Sequence, residues 1–371
     1  MSEPLRVLQL YPKSDYFTGA AIQTLELARG LRSRGHHVVV GTRPSDAWAD
    51  KCARADLVYH PVAMRSELDI RSVAPLVRLL KRHRIQIVHA QKGRARTLAL
   101  MAGLFTRIPV LVLNRGVSFS PDRLARLGYT SRRVTAIVAV SESIRLGLIA
   151  RGVPPAKVHV IYSGTDTARF HPGVDRERVR RELGLGPEHY LVTQVGIRSQ
   201  KGNDDTLDAM RIVAAKAPQA RLLFVGANTA KARIVRNKAE ARGLADRVLV
   251  LDYREDIPEI LAASDVSVDA SYAGLGLTGA IRESLAVETP VVASRIEGNP
   301  ELVVDGETGY LFPPRDVDAL ARCIVRAIEE PERARTMARA GRRRVETGFS
   351  LTAKVDRTEA LYRRLLAAAP A

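Results

Sequence analysis

Short apolar runs alternate with helical segments along nearly the whole chain, and this alternation constrains the fold more than any other feature. In the first half, runs that are typical of strands occupy residues 5–10, 37–41, 58–60, 86–89, 110–113 and 136–140. Apolar residues with helical spacing occupy residues 22–34, 70–83 and 94–105. Strands that alternate with helices form parallel sheets with helices packed on both faces. The pattern therefore predicts an α/β fold whose doubly wound sheet binds ligands at the carboxyl ends of its strands.

A second series of the same kind follows a turn-rich segment at residues 162–175. Its strand patterns and helical patterns alternate at residues 190–195, 204–217, 221–225, 230–242 and 248–251. A chain of 371 residues exceeds what one hydrophobic core usually supports. We therefore predict two Rossmann-like doubly wound domains, at residues 1–170 and 171–350, and a final helix within residues 351–371.

The composition is that of a globular protein without a membrane span. Apolar residues make up 46% of the chain, and no apolar run approaches the roughly 20 residues that cross a bilayer. The N-terminus leads directly into a strand pattern, without the organisation of a signal peptide. Cys52 and Cys323 lie far apart in the chain, and no cysteine or histidine spacing is typical of a metal site. These features predict a cytoplasmic protein with reduced thiols and no metal ion.

Positive charge is concentrated in the first half of the chain. Residues 1–170 contain 27 lysines and arginines against 11 acidic residues, a net charge of +16, whereas residues 171–371 contain 31 against 29, a net charge of +2. A genome rich in G and C would explain why the chain uses arginine more than lysine. It would not explain why the positive charge is concentrated in the first half. A basic face of this size attracts anionic lipid headgroups, phosphorylated glycans or nucleic acid. Because no nucleic-acid-binding signature accompanies the charge and aromatic residues are only 5%, no nucleic-acid partner is predicted.

The segment at residues 271–314 has a pattern that suits a nucleotide. It is typical of a glycine-rich loop, a helix that begins near Thr278 and Gly279, a β-branched strand and a second glycine-rich loop. The N-terminus of a helix presents free backbone N–H groups and a positive dipole to a phosphate. Glu283 lies one to two turns into this helix, within reach of a ribose hydroxyl. An ordinary loop, helix and strand of an α/β domain is the alternative interpretation.

Two cations follow the first strand of the second series. Arg198 and Lys201 lie three residues apart and are followed by Gly202. A guanidinium and an ammonium in a loop at the carboxyl end of a strand can converge on a diphosphate and stabilise it as it leaves. A solvated loop without a ligand is the alternative.

The 271–314 segment resembles the nucleotide-sugar signature of the family-4 retaining glycosyltransferases, also described as glycosyl transferases group 1. The matching positions are Glu283, 290–294, Gly298, Pro300, Glu301, Asp305, Gly306, Thr308, Gly309 and Leu311. The family usually carries another glutamate eight positions before the one that matches Glu283. This chain has Leu275 at that earlier position, or Ala273 if two extra residues are allowed between the two positions. The resemblance implies a GT-B fold, in which two Rossmann-like domains face a central cleft and a C-terminal helix packs back on the first domain.

The resemblance also implies roles for individual residues. Arg198 and Lys201 would stabilise the leaving diphosphate, Thr278 and Gly279 would face the phosphates, and Glu283 would bind the ribose. The other positions that the resemblance places at the donor or the acceptor are Gly19, Ala20, Tyr253, Arg254, Gly298 and Asn299. Gly19 and Ala20 stand where the family has a loop with two adjacent glycines, and a simple turn between strand and helix is the alternative. His89 ends a strand that faces the expected cleft, so it is predicted to be catalytic together with Arg198 and Lys201, and a structural histidine is the alternative.

We therefore predict a retaining glycosyltransferase that moves a sugar from a nucleotide-diphosphate donor to an acceptor hydroxyl without a metal ion or a bound cofactor. The acceptor is predicted to be a lipid-linked or cell-envelope glycan, as in lipopolysaccharide or glycolipid biosynthesis. The basic first half predicts a cytoplasmic protein that attaches peripherally to the inner face of an anionic membrane. The alternatives are a nucleotide-sugar 2-epimerase of the same architecture and a non-catalytic protein that binds a nucleotide sugar or a polyanion.

Overall fold

The computed structural model describes residues 3–15, 18–118, 128–274 and 276–369. The chain divides into two compact units. The first unit contains residues 1–164 and 351–371, and the second contains residues 165–350. The first unit is thus built from two separate parts of the chain, and the last helix belongs to it.

The first unit contains a parallel sheet of seven strands in the order β3-β2-β1-β4-β5-β6-β7. The strands are β1 (Arg6–Tyr11), β2 (His37–Thr42), β3 (Val58–Pro61), β4 (Ile87–Ala90), β5 (Val110–Arg115), β6 (Ala136–Ala139) and β7 (Val158–Val160). The α-helices are Gly19–Arg32, Asp46–Arg54, Val73–Arg82, Gly93–Ala102, Glu142–Ile149 and Leu351–Ala367. The central strands are buried on both faces, as parallel strands covered by helices must be.

The helix Leu351–Ala367, here called the C-terminal helix, packs against the helix Gly19–Arg32. Gly30 permits the close approach, because a Cβ atom at this position would lie 2.4 Å from Cγ2 of Val355. Lys354 donates to the backbone oxygen of Gln23 at 2.7 Å. Tyr362 is fully buried in the core of the unit. The C-terminal helix is therefore an integral part of the first hydrophobic core.

The second unit contains a parallel sheet of six strands in the order β10-β9-β8-β11-β12-β13. The strands are β8 (Tyr190–Val195), β9 (Ala220–Ala227), β10 (Val248–Asp252), β11 (Val266–Asp269), β12 (Val291–Ser294) and β13 (Tyr310–Phe312). The α-helices are Arg176–Glu182, Asn203–Lys216, Thr229–Glu240, Ile257–Ala263, Gly279–Ala286, Asn299–Leu302, Val317–Glu329 and Pro331–Arg344. The predicted α/β architecture with two parallel sheets is confirmed.

Several elements were not predicted. They are the helices Asp46–Arg54, Glu142–Ile149, Arg176–Glu182, Ile257–Ala263 and Asn299–Leu302, the strands β7, β11 and β13, and the elements after residue 313 up to the C-terminal helix, among them the long helices Val317–Glu329 and Pro331–Arg344. The predicted helix at 70–83 begins with a 3-10 turn, Ile70–Ser72, and continues as the α-helix Val73–Arg82. Among the described residues, no helix is both long enough and apolar enough to span a bilayer.

Candidate functional site

The order of strands in the second unit reverses direction between β8 and β11. Ligands of doubly wound sheets bind at the carboxyl ends of the strands on either side of such a reversal. The segments that leave these ends contain Arg198 and Lys201 after β8, and residues 270–274 and 276–278 after β11. The loop 295–298 follows β12, which lies beside β11. The structure thus brings most of the donor-binding residues predicted in this unit to one edge of one sheet.

Lys201 forms a buried ion pair with Asp269, the last residue of β11. Its Nζ atom lies 2.5 Å from Oδ2 of Asp269, and the two residues are only 4% and 2% exposed. Gly202 allows the loop to press against this strand, since a Cβ atom there would lie 2.1 Å from the backbone oxygen of Ala270. Gln194 also holds the loop by donating to the backbone oxygen of Lys201 at 2.6 Å. Asp269 thus fixes the position of the ammonium group, a partner that we did not predict.

Arg198 differs from Lys201 in that its side chain is exposed. Its backbone N–H donates to Oδ1 of Asn203 at 3.2 Å, which holds the loop but not the guanidinium. Among the described residues, none forms an ion pair or a side-chain hydrogen bond with that guanidinium. Arg198 is therefore available to an anion at this edge of the sheet.

The helix Gly279–Ala286 begins beside these cations. Thr278 is its N-cap, but its hydroxyl is buried and bonds to no group in the described part of the chain. The carboxylate of Glu283 folds back toward the helix N-terminus, where Oε1 lies 3.5 Å from the position of a Cβ atom at Gly279. Burial raises the pKa of Glu283, while the charges of Arg282, Arg169 and Lys201 oppose this shift. The helix start therefore offers N–H groups, a hydroxyl and a carboxylate.

Arg282 is a further buried residue of this helix that the sequence reasoning did not single out. It is 3% exposed and donates to the backbone oxygens of Leu277 and Thr278 at 3.3 and 3.4 Å. Burial lowers the pKa of its guanidinium to about 10, and the neighbouring Glu283 opposes that change. Arg282 therefore braces the loop that precedes the helix and adds positive charge beneath Glu283.

The loop after β12 closes the same edge. Glu297 has a left-handed backbone with φ of 46°, and its Oε1 accepts from the backbone N–H of Gly274 at 3.0 Å. Asn299 is 2% exposed and donates from Nδ2 to the backbone oxygen of Ser294 at 3.0 Å. Gly298 is buried between them. The predicted contact of Asn299 with the nucleotide would thus come from its backbone, since its side-chain amide already donates a hydrogen bond to the backbone of Ser294. Leu275, which stands where the family has its other glutamate, lies outside the described residues.

Tyr253 and Arg254 follow β10, at the outer edge of the sheet. Tyr253 is 46% exposed. Arg254 donates two hydrogen bonds to Glu182, at 2.5 and 2.9 Å, and two to Asp256, both at 2.7 Å. These ion pairs raise the pKa of Arg254 and lower that of Asp256. The guanidinium of Arg254 is therefore occupied within the unit, so the predicted contact of Arg254 with a ligand would come from its backbone.

In the first unit, the predicted glycine-rich loop leads into the helix Gly19–Arg32. Thr18 is the N-cap and accepts from the N–H of Ala21 at 3.3 Å. A Cβ atom at Gly19 would meet nothing within 4 Å, so this face of the turn is open, and Ala20 is partly buried behind it. The predicted approach of a ligand to Gly19 and Ala20 is consistent with this open space. Residues 16 and 17 of the loop lie outside the described residues.

His89 is buried in the first unit, with 2% of its surface exposed. Its Nδ1 atom lies 2.7 Å from the hydroxyl of Tyr362 on the C-terminal helix, and Gln9 donates to that hydroxyl at 3.3 Å. Burial lowers the pKa of His89 to about 3, and the charge of Lys354 acts in the same direction. The imidazole is therefore neutral and helps to hold the C-terminal helix in place. The catalytic role of His89 stays a prediction, and this burial disfavours it.

Comparison with known proteins identifies the family. The family model described as Glycosyltransferase Family 4 matches residues 17–169, and the one described as Glycosyl transferases group 1 matches residues 189–330. The lipopolysaccharide core biosynthesis mannosyltransferase LpcC of Rhizobium leguminosarum is 30% identical over 305 residues, which cover 81% of this chain and 84% of that protein. This chain belongs to glycosyltransferase family 4. The glycosyltransferase is also 29% identical to the GDP-mannose-dependent alpha-(1-6)-phosphatidylinositol monomannoside mannosyltransferase of Mycolicibacterium smegmatis, over 86% of this chain and 88% of that one.

Solved structures place the glycosyltransferase among proteins of the GT-B fold. A glycosyltransferase from Rickettsia africae superposes with a TM-score of 0.89 at 19% identity, and the match covers 98% of this chain and 99% of that chain. Alr3699/HepE of Anabaena, solved in complex with UDP and glucose, superposes with a TM-score of 0.85 at 21% identity over 97% of this chain and 100% of that one. At these identities the likeness establishes the fold and leaves the substrates open.

Proposed function

We propose that this glycosyltransferase binds a nucleotide-diphosphate sugar at the β8–β11 edge of the second unit and transfers the sugar, with retention, to a lipid-linked or cell-envelope glycan. The arrangement of Arg198, Lys201 and the N-terminus of the helix Gly279–Ala286 carries the proposal, because it provides cations and backbone donors for a diphosphate. Relatives named as a galactosyltransferase acting on a diphosphoundecaprenol-linked sugar and as a phosphatidylinositol monomannoside mannosyltransferase support the class of acceptor.

In the proposed mechanism the protein stabilises the leaving group. Arg198 is exposed and can move onto the diphosphate, whereas Lys201 is held by Asp269 and meets the phosphate in a fixed position. Charge that develops on the diphosphate as the sugar leaves is stabilised by these two cations. Glu283 accepts a hydrogen bond from a ribose hydroxyl of the donor. The acceptor hydroxyl attacks on the face that the phosphate leaves, and the departing phosphate takes its proton.

The decisive experiment combines labelled donors with defined acceptors. UDP- and GDP-sugars are incubated with the protein and with diphosphoundecaprenol-linked N-acetylglucosamine or phosphatidylinositol monomannoside, and glycolipid products are separated. A labelled glycolipid that requires both substrates supports the proposal. Conversion of the donor sugar without a glycolipid product would show that the protein is a nucleotide-sugar 2-epimerase. Binding of the donor without turnover would show that the protein is not catalytic.

Arg198→Ala is the sharpest test of the diphosphate site, because this exposed side chain supports no other part of the fold. Loss of one charged donor lowers kcat by about 30- to 1000-fold. Arg211→Ala, which removes an exposed arginine from the helix Asn203–Lys216, is the matched control and keeps wild-type turnover. Equal turnover in the two variants at saturating donor would contradict the assignment of Arg198.

We also propose that the first unit attaches to an anionic membrane. With the boundaries of the structure, this unit contains 30 lysines and arginines against 12 acidic residues, a net charge of +18, and the second contains 28 of each, a net charge of zero. Leu68 and Ile70 are 69% and 75% exposed just before the helix Val73–Arg82. The exposed Arg65 and Arg71 flank them. Exposed aliphatic side chains beside arginines suit insertion among anionic lipids.

Paired substitutions of exposed isoleucines test this attachment. Ile70→Ser weakens binding to phosphatidylglycerol vesicles by about ten- to 150-fold in a co-sedimentation assay, because one buried aliphatic side chain contributes about 1.5–3 kcal/mol. Ile234→Ser changes a residue that is 53% exposed on the second unit and leaves vesicle binding unchanged. If both variants bind like the wild type, Ile70 does not enter the membrane.

A further inference from the structure

A groove of about 510 Å³ lies beside β7, the edge strand of the first sheet. All residues that line it belong to the first unit, whereas the donor site proposed above lies in the second. Its walls come from β7, from the helix Glu142–Ile149 and from the C-terminal helix. Val158, Ile161 and Leu361 are buried and provide an apolar floor. A groove of this volume fits a small organic molecule.

The rim of the groove is strongly basic. Arg145, Arg357 and Arg364 line it together with His159, against a single carboxylate, that of Glu142. Arg145 donates from Nε to both oxygens of Glu142 at 2.8 Å, so this carboxylate is neutralised within its own helix. Three guanidinium groups and one carboxylate leave a net charge of +2, since burial and Arg364 lower the pKa of His159 and favour its neutral form.

The C-terminal helix aims two of these arginines at the groove. Arg357 and Arg364 are seven positions apart, two helical turns, so they lie on the same face as Leu361. Arg364 forms no ion pair with any residue that the structure describes. Arg363, its neighbour on another face, is by contrast paired with Glu359 at 2.8 Å.

The edge strand adds backbone donors. The N–H of Ile161 donates to the backbone oxygen of Ala139 in β6 at 3.0 Å. Because alternate residues of a strand point their N–H groups to opposite sides, the N–H of Val160 points away from β6. Val160 lines the groove, and no strand pairs with this outer side of β7 in the described part of the chain. An edge strand presents such N–H groups to ligands.

We propose that this groove binds a small organic phosphate, with the phosphate between Arg357 and Arg364 and the organic part on the apolar floor. A phosphate monoester carries close to two negative charges at neutral pH, which matches the excess of two positive charges. Planar guanidinium groups bind phosphate oxygens with two hydrogen bonds each. The site is a second ligand site on the glycosyltransferase, and it does not depend on the donor site of the second unit.

The test follows the imidazole resonances of His159 by NMR while phenyl phosphate or inorganic phosphate is added at constant ionic strength. An anion between the arginines favours the imidazolium, so the pKa of His159 rises by at least about half a unit. Phenyl phosphate binds at least tenfold more tightly than inorganic phosphate, because its ring covers the apolar floor. Unchanged His159 resonances would overturn the proposal, and equal affinities for the two probes would overturn the assignment of an organic ligand.

Two double variants separate the groove from general charge effects. Arg357→Gln with Arg364→Gln weakens phenyl phosphate binding at least tenfold. Arg339→Gln with Arg343→Gln removes the same charge from exposed positions of the helix Pro331–Arg344 and keeps the wild-type affinity. If both double variants lost the same affinity for phenyl phosphate, the binding would depend only on the net charge of the protein, and the proposal would be overturned. Since binding is read at His159, failure of sugar transfer does not affect the outcome.

Discussion

The ion pair between Lys201 and Asp269 joins two opposite charges where water has almost no access. A buried charge without its partner is far more costly than the pair or than two neutral residues. Asp269→Asn therefore lowers the free energy of unfolding of the second unit by about 3–5 kcal/mol. The double variant Lys201→Met/Asp269→Asn recovers much of this loss, because no unpaired charge remains. Chemical denaturation of both variants measures the difference.

The exposed pair of Lys238 and Asp204 provides the control for this prediction. Its atoms are 2.8 Å apart, but both side chains are more than 40% exposed. Asp204→Asn changes stability by less than about 1 kcal/mol, as for other solvated ion pairs. If Asp269→Asn were equally mild, or if the double variant were the less stable of the two, the pair would not be coupled as described.

Glu283→Gln separates stability from donor binding. Because burial raises the pKa of Glu283 above its ordinary value of 4.5, the folded protein prefers the neutral carboxyl group. Its contribution to stability is present below pH 4.5 and is lost as the pH rises through the raised pKa. At pH 7.5 the neutral glutamine removes this cost, so the variant unfolds at a higher temperature than the wild type does.

The same variant weakens binding of the nucleoside diphosphate, since an amide is a poorer acceptor for a ribose hydroxyl than a carboxylate is. Calorimetric titration at pH 7.5 measures this loss, and scanning calorimetry between pH 4 and 8 measures the stability. Glu288→Gln, five positions later and outside the helix, is the control for both. Unchanged nucleotide affinity in Glu283→Gln would remove this residue from the proposed site.

Sequence reasoning identified several residues of the proposed donor site but not the residues that hold them in place. Arg198, Lys201 and Glu283 are recognisable because loops after strands and glycine-rich helix starts have local patterns. Asp269 was not predicted, since it lies 68 positions from Lys201 and only the parallel pairing of β8 with β11 brings the two together. His89 was expected to face the cleft because it ends a strand. Its hydrogen bond to Tyr362, 273 residues later, is invisible in any local pattern.

At the scale of elements, the packing of the C-terminal helix depends on one glycine. Gly30→Ala places a methyl group 2.4 Å from Cγ2 of Val355, and the stiff valine has no room to move within the buried interface. Overpacking of this kind costs about 1–3 kcal/mol. We expect faster hydrogen exchange and faster proteolysis in the helix Leu351–Ala367. Val355→Ala in the same chain relieves the clash, and failure of this second substitution to restore protection would contradict the packing argument.

Some short strands were missed for a physical reason, although two longer helices, Val317–Glu329 and Pro331–Arg344, were also not predicted. The helix Asn203–Lys216 and the strand β8 have enough residues to show a period. The strand β11 has only four residues, and a polar residue, Ser267, interrupts its apolar run. Ser267 can be buried because its hydroxyl accepts a hydrogen bond from Ser284 at 2.7 Å. The edge strand β7 has three residues and a histidine at its centre. Tertiary contacts rather than propensity define such strands.

At the scale of the whole molecule, charge follows the structural units more closely than it follows the sequence halves. The counts at residue 170 assign +16 to the first half, whereas the structural boundaries assign the whole +18 to the first unit and zero to the second. The two additional positive charges come from the C-terminal helix, whose arginines belong to the first unit. That assignment follows from the packing of this helix, which charge counts along the chain do not reveal.

This division predicts how salt affects membrane attachment. The protein binds vesicles that contain phosphatidylglycerol and not vesicles of phosphatidylcholine alone, because each basic residue near an anionic surface contributes about 1 kcal/mol. Raising the salt concentration from 0.05 to about 0.5 M shortens the Debye length to a few ångströms and releases most of the protein. Co-sedimentation at both concentrations measures this effect. Equal binding to the two kinds of vesicle would contradict membrane attachment through charge.

The two-part construction of the first unit also has a consequence for biosynthesis. The ribosome makes residues 1–164 first, but the helix that completes their core is made last, after the 186 residues of the second unit. At about 5–20 residues per second this delay lasts roughly 10–40 s. During that time Val355 and Tyr362 are not yet in place, and the apolar surface of the helix Gly19–Arg32 that they later cover remains accessible to chaperones. The unit that begins first is therefore the one that finishes folding last.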